Sequence, residues 1–188
     1  NMAALQHKLN LAGRPNNWSP AEFYGVRGLA GVLLGVLAFM LLTLAKQDIP
    51  MRLLLGFTLG LLGFYLPTAW LGSKIRNRQA EIIKSLPDAL DLLTISVEAG
   101  LGFDAALSKI TEKWDDELSR EFTRVIAEMR VGKKRSSALR DMADRMEVQD
   151  ITSFVAAIIQ AEQLGVSIAK VLRIQSEQMR IKRRQRAE

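Results

Sequence analysis

Gly132-Lys-Lys-Arg-Ser-Ser-Ala-Leu139 is the middle one of three related stretches. Gly100-Leu-Gly-Phe-Asp-Ala-Ala-Leu107 begins 32 residues before it, and Gly165-Val-Ser-Ile-Ala-Lys-Val-Leu172 begins 33 residues after it. Each glycine follows an apolar-faced segment and is followed seven residues later by leucine. Glycine just past a helix end takes the left-handed conformation without a Cβ penalty, so the chain can turn back on itself. Three helix–Gly–helix units predict six helices, over residues 86–99, 103–114, 117–131, 137–146, 149–164 and 167–186. Asp104, Ser136 and Ser167 stand where caps or first-turn acids are useful. Phe122, Val125, Ile126 and Met129 follow the i, i+3, i+4, i+7 pattern of a helix face. Ile151, Phe154, Val155, Ile158 and Ile159 do the same, widened by Ala156, Ala157 and Ala161, which makes this fifth helix the most buried of the six. Leu86, Leu90, Leu93 and Val97 line the first. A period near 33 also suits a tetratricopeptide-like solenoid, but the Trp-Leu-Gly and Pro landmarks of that repeat are missing. The expected fold is all-α, ending in an antiparallel six-helix bundle.

Working outward, the chain before the repeat has a different character. Residues 28–45 and 53–71 contain no charged residue, whereas residues 72–188 hold 21 Lys/Arg and 18 Asp/Glu. A membrane span needs about 20 apolar residues at a 1.5 Å rise. Spans over about 26–45 and 51–71 are therefore expected, with Arg27 and Arg52 reaching to the interface. The short linker Lys46-Gln47-Asp48-Ile49-Pro50 makes them a helical hairpin, with Pro50 suited to a first helical turn. Gly31-x-x-x-Gly35 and Gly56-x-x-x-Gly60 each put small residues on one helix face, where backbones can approach closely. Lys74, Arg76, Arg78 and Lys84 follow the second span; Lys8, Arg14 and Arg27 precede the first. The positive-inside rule then favours both ends in the cytoplasm. No ionisable residue lies mid-span, which argues against a proton relay. The expected division is a juxtamembrane segment 1–24, the two spans within 25–72, and a cytoplasmic domain 73–188. In the first segment Met2, Leu5, Leu9 and Ala12 have helical spacing, so an amphipathic helix lying on the membrane surface is expected. Ser19-Pro20-Ala21-Glu22 is a capping box with proline at the first helical position.

Several chemistries are excluded by composition. The chain has no Cys and one His, so thiol nucleophiles, thiolate zinc sites and His-built metal sites are absent. The nearest approach to a phosphate loop, Gly132-Lys133-Lys134, has Ala127 where the first glycine is needed and Lys134 where Ser or Thr is needed. No catalytic, cofactor or metal site is expected. The acidic groups Asp88/Asp91 and Asp115/Asp116/Glu117 read as helix faces and first-turn acids. Glu98 and Glu162 each precede a turn glycine and suit structural or contact roles beside Gly100, Gly132 and Gly165. Arg130, Lys133, Lys134 and Arg135 form a basic turn, from which Lys133, Lys134 and Arg135 are candidate contacts for an acidic partner. Lys182, Arg183, Arg184 and Arg186 form a second basic group, read as attracted to anionic headgroups. The pI near 9.8 could suggest nucleic acid, but no stacking aromatics accompany either group.

The string Leu86-Pro-Asp-Ala-Leu-Asp-Leu-Leu-Thr-Ile-Ser-Val-Glu-Ala-Gly-Leu-Gly-Phe-Asp-Ala-Ala-Leu107 resembles the opening of the type II secretion F domain. Ser153-Phe-Val-Ala-Ala-Ile-Ile-Gln-Ala-Glu-Gln-Leu-Gly165 resembles its closing half, and Val97-Glu-Ala-Gly-Leu-Gly102 is similar to the TadC-type platform protein of tight-adherence (Flp) pili. The resemblance implies a non-enzymatic platform in a bacterial inner membrane. Its cytoplasmic domain would couple a hexameric secretion ATPase to pilin extraction and fibre assembly. Partners would be that ATPase, a TadB-type sister platform protein, pilin subunits, membrane lipids and further copies of the chain, with no cofactor and no nucleic acid. The family usually continues into further C-terminal spans, which would follow the basic run at 182–186. Residues alone leave two other readings open: a membrane-anchored helical adaptor or sensor, and a transporter fragment.

Overall fold

The computed structural model describes residues 2–13, 19–44 and 49–187, and no strand occurs among them. Eight helices appear: α1 Met2–Leu11, α2 Pro20–Leu44, α3 Ile49–Glu98, α4 Phe103–Lys113, α5 Glu117–Arg130, α6 Arg135–Met146, α7 Gln149–Leu164 and α8 Ile168–Ala187. Boundaries from α4 onward differ from the sequence reading by at most two residues, the ordinary uncertainty of helix ends. The large difference is α3. The expected second span and first repeat helix are one helix of 50 residues. Residues 73–85 lack any glycine or proline to end it. Pro67 and Pro87 each remove one backbone donor without breaking it. Pro50 lies in its first turn. Arg14, Lys46, Gln47 and Asp48 lie outside the described residues.

The chain divides into two units, residues 1–77 and 78–188. In the first, Ser19 and Glu22 form a reciprocal box at the start of α2. The Ser19 amide donates to Glu22 Oε2 at 2.7 Å and the Glu22 amide to Ser19 Oγ at 3.3 Å. The apolar face of α1 does not lie open. Leu5, Leu9 and Ala12 bury against Phe23, Leu71 and Ile75. This face of α1 thus packs against α2 and α3.

Gly31 and Gly35 of α2 lie against Gly60 and Gly56 of α3. A Cβ on Gly31 would stand 3.1 Å from the Gly60 carbonyl oxygen, and one on Gly35 would stand 3.4 Å from that of Gly56. Numbers rise along one helix as they fall along the other, so the two run antiparallel. The tightest point is one turn further on. A Cβ on Gly63 would meet Leu34 Cδ1 at 2.7 Å and the Ala30 carbonyl oxygen at 2.8 Å. Arg27 closes the same end, its Nε 3.3 Å from the Phe64 carbonyl oxygen and its guanidinium 4.2 Å from the Phe64 ring centre. The leucine side chain can move, but the carbonyl belongs to a helix backbone. Gly63→Val is accordingly expected to destabilise the helix pair by about 1–3 kcal/mol. Gly28→Val, whose Cβ has nothing within 4 Å, should be close to neutral. Thermal unfolding of the detergent-solubilised chain checks this, and equal melting of the two variants would contradict it.

Among the described residues two helices are long and apolar enough to cross a membrane, one over Pro20–Thr43 and one within Ile49–Glu98. Only 11% of the first apolar window and 6% of the second is buried. A core helix of a soluble protein would be mostly covered. Here Leu29, Val32, Leu33, Val36, Leu53, Leu54 and Phe57 are all more than half exposed.

The second unit has one core, drawn from α3 through α8. Ile82, Leu86, Leu90 and Leu93 of α3 meet Leu107 and Ile110 of α4, Phe122 and Val125 of α5, Leu139 and Met142 of α6, Phe154 and Ile158 of α7, and Leu172 and Met179 of α8. From α4 onward each helix packs on the next. The last also returns to α3, where Arg180 binds Asp91 at 2.9 Å and Arg183 binds Asp88 at 2.8 Å. In α7 the buried face is narrower than the sequence suggested. Ala156 is exposed, because the stripe of Ile151, Phe154, Val155, Ile158 and Ile159 already faces the neighbours.

Candidate partner-docking site

The three repeat turns share one local geometry. Gly100, Gly132 and Gly165 have φ of +93°, +94° and +67°. In each, the amide of the following residue donates to the carbonyl five positions back: Leu101 to Ser96 at 3.1 Å, Lys133 to Glu128 at 3.1 Å and Val166 to Ala161 at 2.9 Å. These are Schellman turns, which satisfy helix-end carbonyls that would otherwise lack partners.

Arg135, at the first position of α6, joins all three. Its Nη2 lies 2.8 Å and its Nε 2.9 Å from the Asp104 carboxylate in the first turn of α4, and its Nη1 lies 3.0 Å from Glu162 Oε1 in the last turn of α7. Its guanidinium also faces the Phe103 ring at 5.8 Å. The bidentate hydrogen bond to Asp104 raises the Arg135 pKa against the effect of burial, with the charge of Glu162 adding to it. A planar fork suits this double role, and a lysine would not reproduce it.

The candidate contact residues thus separate by function. Arg135 is a staple. Lys133 is held by Glu128 and Asp141. Lys134 is exposed at the N-cap of α6 and has no ion pair among the described residues. Of the acids beside the turns, Glu162 is bound by Arg135, while Glu98 is exposed at the end of α3. Glu98 borders a cleft of about 520 Å³ between α3 and α8, with Asp91, Thr94, Arg173, Arg180 and Arg184. The second basic group is also partly occupied within the chain: Lys182 binds Asp150 at 2.7 Å and Arg183 binds Asp88. The side chain of Arg186 lies outside the described residues.

The acids named from sequence have local roles. Asp91 accepts from Ser176 and Arg180. Asp116 caps α5 by accepting from the Ser119 amide at 2.7 Å, and Asp115 pairs with Arg120. Ser136 lies inside α6 and is not its cap; Lys134 holds that position. Among the described residues no group of three or more potential ligands could hold a metal ion.

Sequence reasoning missed a ladder of alternating charge. Arg78 binds Glu117 at 2.6 Å and Glu121 at 2.8 Å. Glu121 also binds Arg145 at 2.8 Å, and Arg145 binds Glu128 at 3.2 Å. Glu128 then meets Arg124 and Lys133, and Lys133 meets Asp141. The ladder connects α3, α5 and α6 and reaches the turn at Gly132. Its signal was the position of Glu121, three residues from Leu118 and four from Val125, on the buried edge of the α5 stripe.

Burial opposes ionisation of Glu128, but Lys133, Arg145 and Arg124 outweigh it and hold its carboxyl below the ordinary 4.5. The hydrogen bond from Lys133 does the same for Asp141, below 3.8. A lowered folded-state pKa contributes stability above the unfolded value and loses it as pH falls through the folded one. The parent chain should therefore melt above a Glu128→Gln variant at pH 6, with the difference shrinking as pH falls below 4.5. A pH-independent difference would refute this.

Residues 89–188, from the last ten residues of α3 through α8, match the family described as Type II secretion system (T2SS), protein F. No curated protein and no solved structure matches the chain. The match spans more than half of the sequence and takes in all three turns, the Arg135 staple and most of the ladder. The chain belongs to the type II secretion system protein F family, whose members are inner-membrane-associated, platform-type proteins of secretion and pilus machines and are generally not enzymes.

Proposed function

We propose that the protein is a non-enzymatic, multi-pass inner-membrane platform of a tight-adherence (Flp) pilus or type II secretion machine. In this reading α2 and the apolar part of α3 are a transmembrane hairpin with both ends in the cytoplasm. Residues 78–188 are a closed, antiparallel six-helix bundle. It takes up the motion of a hexameric secretion ATPase and passes it, with a TadB-type sister protein, to pilin subunits entering the fibre. The family match over residues 89–188 carries the reading. The return of α8 onto α3 supports closure, since an open solenoid leaves its two ends apart. The exposed apolar surfaces of α2 and α3 support insertion in lipid. The Tad assignment rests on Val97-Glu98-Ala99-Gly100-Leu101-Gly102.

Deletion of the gene in its host, followed by electron microscopy and secretion assays, tests the role. Loss of fibres or secreted substrate is expected, restored by the intact chain; wild-type levels of both would refute it. The purified protein should show no ATP hydrolysis above buffer. Reporter fusions before residue 20 and after residue 78 should both give cytoplasmic signals, with a fusion near residue 47 giving the opposite one.

A further inference from the structure

We infer that the three repeat turns together form a docking surface for a partner protein that presents an apolar recess bordered by carboxylates. This rests on the platform reading, under which that partner is the secretion ATPase.

The turns are gathered at one end of the helical unit. Arg135 begins α6 just after the second turn, touches Asp104 just after the first, and touches Glu162 just before the third. Each turn carries a large apolar side chain next to its glycine. Leu101 is 40% exposed, Val131 86%, Leu164 77% and Val166 43%. Single exposed apolar residues are ordinary on a protein surface. Here at least one stands directly beside the glycine of each turn: after Gly100, before Gly132, and on both sides of Gly165. None of the four belongs to the core.

The charges beside them give the patch a direction. Lys133 and Arg135 are taken up by carboxylates of the same chain. Arg130 and Lys134 are exposed and have no ion pair among the described residues; Arg130 directly precedes Val131 and Lys134 follows it by three positions in the same turn. A partner with carboxylates around an apolar recess would answer both features. The backbone bonds of the turns and the Arg135 staple hold the apolar groups in place beforehand, which reduces the ordering cost of association.

The test uses the intact chain in lipid nanodiscs and, as probe, the purified secretion ATPase of the same organism, with binding read by interferometry. Val131→Ser combined with Leu164→Ser should lower affinity about tenfold or more. Lys134→Glu should lower it several-fold at low salt, with the loss shrinking as ionic strength rises. Glu112→Lys, at the far end of α4, should stay within about twofold of the parent. Every substituted side chain is exposed, so melting temperatures should match the parent. Loss of affinity in either tip variant with melting unchanged supports the surface. Parent-like binding by both tip variants overturns it and leaves the platform reading standing. Absence of binding by the parent chain itself overturns both.

Discussion

Glu121→Ala is expected to destabilise the helical unit by about 3–5 kcal/mol, the usual result of removing one partner from a buried ion pair. Glu121 is 7% exposed and accepts from two guanidiniums, Arg78 Nη2 at 2.8 Å and Arg145 Nε at 2.8 Å. Arg78 is itself 7% exposed. Alanine would leave two cations desolvated with fewer counter-charges, and neither can shed its proton. Glu121→Gln keeps the shape and loses the charge, so it should fall between parent and alanine. An exposed pair such as Lys109–Glu112, both partners more than half exposed, provides the contrast. Its loss should cost about 0–1 kcal/mol. Hydrogen exchange of the α5 and α6 amides reads the difference. Glu121→Ala protection equal to that of Glu112→Ala would show that the ladder adds nothing to stability.

Phe154→Ala should have an effect of similar size, about 3–5 kcal/mol, for a different reason. Phe154 is fully buried in α7 and is among the largest side chains with no exposure. Removal of the ring costs its transfer energy and leaves a cavity lined by side chains of the shared core. Phe154→Leu should recover much of the loss, because it fills more of the cavity. The neighbouring Ala156 supplies the control. It is exposed, and Ala156→Ser should change stability by less than about 0.5 kcal/mol. Denaturant titration of the solubilised chain distinguishes these cases, and similar midpoints for Phe154→Ala and Ala156→Ser would contradict the core assignment. Both large effects fall on α5 and α7. Variants there should reduce activity by unfolding the scaffold, whereas variants at Lys134, Val131 and Leu164 should act with the scaffold intact.

Much of the architecture was legible before any coordinates. The glycine turns at 100, 132 and 165 are read from local chemistry, because a left-handed residue after a helix is a constraint on a few consecutive dihedrals. The α5 and α7 stripes follow from helical periodicity, and the capping box at Ser19 from reciprocal bonds three residues apart. The helix-facing glycines of α2 and α3 were visible as spacing, but spacing did not single out Gly63, where an added Cβ would meet the neighbouring helix at the shortest distance. The break expected before residue 86 does not occur. Pro67 and Pro87 each remove only a single hydrogen bond from a helix whose remaining residues continue the ladder.

The sequence by itself determined what depends on neighbours along the chain: the helices from α4 onward, the three turns, and the division between uncharged and charged halves. Only the tertiary structure decided which charges are free. Lys133, Lys134 and Arg135 are consecutive and look alike, but Glu128 and Asp141 take the first, while Asp104 and Glu162, 31 and 27 residues away, take the third. Ion pairs form between side chains that packing brings within about 3 Å, and no local pattern encodes that distance. Lys134, between Lys133 and Arg135 at the N-cap of α6, remains exposed because no described carboxylate is packed within reach of it.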